Sequence, residues 1–137
     1  MRIFDDAAVN ARLDWPGLIG AIEALFARGA DVPPRQALTI PVPGGADGTL
    51  LLMPAWLAGD TIGVKAVTFF PGNVARGLST ISAAYLVFDG TTGAIGAAMD
   101  GDAITVRRTA ATSAVAAKRL ARADARRLLV IGTGQLG

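Results

Sequence analysis

Three cations in this 137-residue chain, Lys65, Arg108 and Arg35, are candidates to hold an anion. Lys65 lies in the middle of an apolar run from Ile62 to Phe70. Burying an unpaired ammonium costs on the order of several kcal/mol, or forces its pKa down. A site that must hold a carboxylate supplies the missing reason; an edge-strand lysine that blocks aggregation is the plain alternative. Arg108 sits near the start of an alanine-rich helix that the pattern opens at Thr105. Positive charge is disfavoured at a helix start, so a carboxylate partner explains it better than structure does. Its neighbour Arg107 reads as solvated. Arg35 follows Pro33-Pro34, and its planar fork suits a carboxylate, although an arginine at a strand start is ordinary. Beside a guanidinium the pKa of Lys65 should fall, which would suit proton exchange with an amine or a water. Thr80 is ambiguous, because serine and threonine crowd turns anyway, and Asn73 reads as a turn cap.

Composition narrows the chemistry further. Cysteine and histidine are both absent, which removes a thiolate nucleophile, a Ser-His pair, disulfides and the usual zinc ligands, and fits a cytosolic protein. No metal is expected. The hydrophobic fraction of 52% argues against a disordered chain, and the net charge is only +2. Seven of the thirteen basic residues lie between Arg107 and Arg127, with few aromatics and no nucleic-acid motif, so they read as a solvated helix face. No run reaches the length of a membrane span, and no signal peptide opens the chain. Neither nucleic acid nor membrane is expected as a partner.

The elements that must position these residues follow from periodicity and punctuation. Asp5 to Leu13 reads as a short helix. Asp14 caps a second, with Pro16 in its first turn, apolar residues at Leu18, Ile19, Ile22, Leu25 and Phe26, and Gly29 at its end. Strands are expected at Arg35–Pro41, Thr49–Pro54, Asp60–Phe70, Ala83–Asp89 and Ala94–Met99, joined by glycine-rich turns. Thr105 to Ala123 is expected to be a helix packed through Ala110, Ala114, Val115, Ala117 and Leu120, and Arg127 to Ile131 a short buried strand. Several strands are apolar on both faces, including Leu50-Leu51-Leu52-Met53, so one face should meet a helix and the other a second sheet or subunit.

Gly132, Gly134 and Gly137 then satisfy G-x-G-x-x-G directly after an apolar segment. This spacing gives a tight turn and lets backbone approach a pyrophosphate. Gly132, Gly134, Gln135 and Gly137 are therefore candidate cofactor contacts. The helix, second strand and distant acid of a complete dinucleotide site do not follow within the 137 residues, and micromolar NAD affinity is not expected of them alone.

Taken together, Gly63-Val64-Lys65-Ala66-Val67-Thr68, Pro71-Gly72-Asn73, Gly77-Leu78-Ser79-Thr80, Phe88-Asp89, Thr92-Gly93, Met99-Asp100-Gly101, Thr105 to Ala111, Ser113 to Ala117 and Gly132-Thr133-Gly134 resemble the ornithine cyclodeaminase/mu-crystallin family. The likeness runs from Pro34 to the end. It implies an α+β fold: N-terminal helices packed on a mostly antiparallel or mixed β-sheet, then a long helix and the first strand of an incomplete Rossmann domain. On this reading residues 1–122 form a substrate-binding and dimerisation domain, and residues 123–137 begin a truncated dinucleotide-binding domain. The resemblance implies NAD or NADP as cofactor, hydride transfer at the Cα of an amino or imino acid, and a homodimer formed through the N-terminal sheet. By motif, Arg35, Lys65, Thr80 and Arg108 resemble the residues that hold the substrate carboxylate beside the reacting carbon, and Lys65 is the candidate catalytic residue. The reaction would be ornithine cyclisation to proline with loss of ammonia, or reduction of cyclic imines of the pyrroline-2-carboxylate type. The scarcity of acids between Arg35 and Lys65, only Asp47 and Asp60, tilts towards the reductase. The 137 residues alone are expected to be inactive, and a non-catalytic small-ligand or dimerisation module of mu-crystallin type is the alternative. Two departures bear on loop geometry: Ser79 stands where the family often has proline, and Ala83 where it has glycine.

Overall fold

The computed structural model describes residues 1–132. Six strands form one sheet in the order β1-β6-β5-β4-β3-β2. They are β1 (Arg2–Phe4), β2 (Gln36–Ile40), β3 (Gly48–Leu57), β4 (Thr61–Phe69), β5 (Ile81–Asp89) and β6 (Ile95–Asp100). Every pairing from β2 to β6 is antiparallel; β1 adds in parallel to β6, with Phe4 beside Met99. Three helices complete the fold: α1 (Asp6–Arg12), α2 (Trp15–Arg28) and α3 (Gly101–Leu120). The α+β architecture and the mixed sheet match the sequence reading. β1 is an addition, too short to carry a periodic signal.

Local chemistry sets the element ends. Asp5 and Asp14 cap α1 and α2 by accepting from the backbone N–H of Ala8 and Gly17. The β5–β6 turn is closed by Asp89, whose Oδ1 accepts from the N–H groups of Thr91 and Thr92 and from the Thr92 hydroxyl. Asn73 ties the 3₁₀ turn Pro71–Arg76 to the following loop by donating to the Ser79 carbonyl at 2.8 Å.

Three expectations need correction. First, α3 begins at Gly101, a full turn before Thr105, because Asp100 caps it: its Oδ1 accepts from Ala103 N–H at 2.8 Å. Arg108 is therefore in the third turn, and the argument from the helix dipole does not apply to it. Second, the buried stripe of α3 is Ala103, Ala111 and Val115, whereas Ala114, Ala117 and Leu120 are exposed. Third, Arg127–Ile131 forms no strand. Leu128, Leu129 and Ile131 are more than 80% exposed, since no strand of the described residues pairs with the segment.

Arg107 is the other surprise. It is half-buried, donating from Nε to the Asn10 side-chain oxygen and from a guanidinium nitrogen to the Leu13 carbonyl, both at 2.6 Å. Its guanidinium also lies 4.7 Å from the Trp15 ring centroid. One side chain thus binds α3 to the end of α1 and the start of α2. A second link runs from Glu23 on α2 to Lys118 and Arg119 on α3, and the Lys118 hydrogen bond is the main cause holding that carboxyl below its usual value.

The core is thin. Among the described residues its buried apolar side chains are Val9 of α1 and Ala103, Ala111 and Val115 of α3. Gly101 is seated directly on β5, where a Cβ would lie 2.6 Å from the Ala83 carbonyl carbon. Replacing Arg107 with Ala should lower stability by about 3 kcal/mol, from two charge-assisted hydrogen bonds and a cation–π contact, as read by urea unfolding. A change within 0.5 kcal/mol, roughly the effect of an ordinary surface substitution, would show that Arg107 is no staple.

Candidate functional site

Strand pairing puts Lys65 between Met53 of β3 and Tyr85 of β5, so the three share one face of the sheet. This is the face α3 covers, because Lys65 Nζ reaches up and donates to Thr105 Oγ1 at 2.6 Å. Arg108 lies one helical turn beyond Thr105 and is exposed. Burial pulls the Lys65 pKa below the usual lysine value, the Arg108 charge pulls it further down, and Asp102 in the first turn of α3 opposes them. The Tyr85 phenol is pushed up by burial. Among the described residues neither Lys65 nor Arg108 enters an ion pair.

The four sequence candidates divide accordingly. Lys65 and Arg108 are linked through Thr105, which accepts from Lys65 Nζ and stands three residues before Arg108 on α3. Arg35 is exposed, one residue before β2. Since Gln36 opposes Leu52, strand alternation places Arg35 on the row of Met53 and Lys65, about 10 Å from Lys65 across two strand spacings. Thr80 is set apart. It precedes β5, its carbonyl accepts from Phe70 N–H at 2.8 Å, and it lies five residues along from Tyr85, roughly 17 Å of strand. Gly132 has φ of 106°, a region open to glycine and suited to a tight turn. Gly134, Gln135 and Gly137 lie outside the described residues.

Two side chains escaped the sequence reading. Thr105 and Asp102 both stand on the first turns of α3, and finding them required the true start of that helix. The signal was present: Asp100 is a standard N-cap residue directly ahead of Gly101. The departures at 79 and 83 are also accounted for. Ser79 closes its own turn, its hydroxyl donating to the Ile81 carbonyl and accepting from Ile81 N–H at 3.3 Å. Ala83 takes ordinary strand geometry, with no positive φ at any described residue other than glycine.

Hollows lie elsewhere: one of about 370 Å³ is bordered by Arg28, Asp31 and Trp56, one of about 350 Å³ by Arg122, Asp124 and Arg127, and one of about 290 Å³ by Val42, Phe70 and Arg76. Neither Lys65 nor Arg108 borders any of these three. No helix of the described residues is long and apolar enough to cross a membrane.

The pattern of the ornithine cyclodeaminase/mu-crystallin family matches residues 2–137, and the chain belongs to that family. It is 41% identical over 135 residues to Delta(1)-pyrroline-2-carboxylate reductase 2 of Burkholderia ambifaria, covering 96% of this chain and 42% of that protein. It superposes on the Thermococcus litoralis Delta(1)-pyrroline-2-carboxylate reductase, solved with NADH and L-proline, with a TM-score of 0.74 and 32% identity, over 90% of this chain and 39% of the other. An archaeal alanine dehydrogenase dimer with bound NAD gives a TM-score of 0.73 and 33% identity, over 90% and 38% of the two chains. The chain therefore spans about two fifths of the length of the relatives it matches.

The depressed pKa of Lys65 has a consequence for stability. A depressed value contributes stability above the unfolded pKa of about 10.4 that is lost as pH falls through the folded value, so at neutral pH the charge is a cost. Replacing Lys65 with Met should raise the Tm at pH 7 by about 2–4 °C, a modest gain because solvent screens a half-exposed group. The gap should close above about pH 10. A gap that is negative or independent of pH would mean that Lys65 is not held against its charge.

Proposed function

We propose that Lys65 and Arg108 hold the carboxylate of a small amino or imino acid during NAD(P)-dependent hydride transfer at its Cα. The observation that carries this reading is the strand–helix contact itself: Lys65 Nζ bonds to Thr105 of α3, Arg108 stands one helical turn further on, and neither cation has an acidic ion-pair partner among the described residues. An anion is what such a pair lacks. Arg35, on the same sheet row, can add a third donor through its long side chain. Thr80, five strand residues from Tyr85, has no part in this reading.

The nicotinamide, when bound, supplies or accepts the hydride. Of the residues that would meet it, Gly132 has the backbone freedom that close approach to a pyrophosphate needs. The work of this chain's own residues is orientation and charge neutralisation: binding the carboxylate fixes the adjacent carbon. Lys65, its proton loosened by burial, can also exchange a proton with the substrate nitrogen or a water. The substrate favoured is a cyclic imino acid of the pyrroline-2-carboxylate type, supported by the reductases among the relatives and by the single carboxylate, Asp102, that acts on Lys65. A cytosolic, cysteine-free setting accords with this chemistry.

The opposite face of the sheet supports a homodimer. Leu50, Leu52, Pro54, Val64, Leu86 and Phe88 share that face by register, and none of them is buried. A second copy laid on it would cover the patch. Replacing Leu52 with Asp should convert a dimer to a monomer in size-exclusion chromatography with light scattering; a wild-type chain that is already monomeric would refute this.

The complete product of the gene should oxidise NADH or NADPH with Δ1-pyrroline-2-carboxylate faster than it turns over L-ornithine or L-alanine. Replacing Arg108 with Ala should lower kcat/KM at least tenfold, about 1.4 kcal/mol. Near-normal kinetics in that variant would remove Arg108 from the site.

A further inference from the structure

The Lys65 ammonium has one hydrogen-bond acceptor among the described residues, and it is built with unusual care. Thr105 Oγ1 donates its own proton to the Gly101 carbonyl four residues back, at 2.5 Å. With that proton committed, the oxygen can only accept, and it accepts from Lys65 Nζ at 2.6 Å. Gly101 itself is immobilised twice over. Asp100 caps the helix at this point, and the Gly101 backbone lies against Ala83 and Ala84 of β5 too closely for any side chain. A continuous path therefore runs from β5 through Gly101 and Thr105 to the tip of Lys65 on β4.

We infer that Thr105 is a positioning residue: it fixes the Lys65 head one helical turn from Arg108 so that both cations address the same anion. This deepens the proposed carboxylate site and rests on it for the ligand, though not for the contact. A lysine carries four rotatable side-chain bonds, and without an anchor its head would sample many places. Thr105 engages one ammonium proton and leaves two for an incoming oxygen pair. The groups that face Lys65 are Arg108 and Asp102 on α3 and the Tyr85 phenol opposite it on β5. None of them changes identity when Thr105 is replaced.

The experiment uses the 137-residue chain, which has only two lysines, Lys65 and Lys118, so their Cε resonances are readily told apart by NMR. Replacing Thr105 with Val keeps the shape and removes the acceptor; replacing it with Ser keeps the acceptor. T105V should lower the Lys65 titration midpoint by about half a pH unit or more, because a hydrogen bond that favours the charged form is lost. T105S should leave the midpoint near wild type. Titration with L-proline should show at least fivefold weaker binding to T105V, with T105S close to wild type. Should T105V fail to fold, as read by circular dichroism, T105A takes its place. An unchanged Lys65 midpoint in the acceptor-less variant overturns the inference, whatever happens to thermal stability. If the midpoint moves but L-proline binds none of the proteins, the anchor stands and the carboxylate reading falls. If L-proline binds wild type and T105V alike, Thr105 positions nothing for a ligand.

Discussion

One ammonium held against its own preference organises this domain. Lys65 is half-buried in the centre of the sheet, a guanidinium stands one turn away on the facing helix, and burial and repulsion both loosen its proton. Folding alone offers no return for that arrangement; an apolar residue at the same place would pack more easily. Unfavourable electrostatics of this kind persist where a binding site requires them, at a cost in stability. The rest of the fold can be understood as support for it. Asp100 sets the first residue of α3, Gly101 seats that helix on β5, and Arg107 locks its middle to α1 and α2.

The two faces of the sheet do different work. The face under α3 carries the polar row of Lys65 and Tyr85, while the other carries the apolar row of Leu50, Leu52, Val64, Leu86 and Phe88. A buried core of four small or medium side chains is little for a chain of this size. Apolar area stays uncovered on the sheet face away from α3 and along the Leu128–Ile131 segment.

Much of this was legible beforehand. The strands from β2 to β6 were readable because glycine- and proline-marked turns separate them, and α2 because aspartate, proline and glycine mark its ends. Lys65 stood out as a charge in an apolar run, which is a one-residue anomaly visible without any fold. What was not legible has physical causes. β1 gains its identity only from pairing with β6, a contact across more than ninety residues. Arg107 and Arg108 are adjacent in sequence, yet a helix turns neighbours about 100° apart, so one becomes a half-buried staple and the other stays exposed, a turn from Thr105. Misplacing the start of α3 by a turn was enough to reverse expectation for one and to give the wrong reason for the other. Leu128 to Ile131 carries strand propensity, but propensity without a partner strand makes no sheet.

The central claim is that the heads of Lys65 and Arg108 share one anion. It is tested most directly by a crystal structure of the protein soaked or co-crystallised with L-proline. The account predicts carboxylate density within hydrogen-bonding distance of both Lys65 Nζ and the Arg108 guanidinium. Proline bound elsewhere, or touching one cation while the other turns away into solvent, would contradict it.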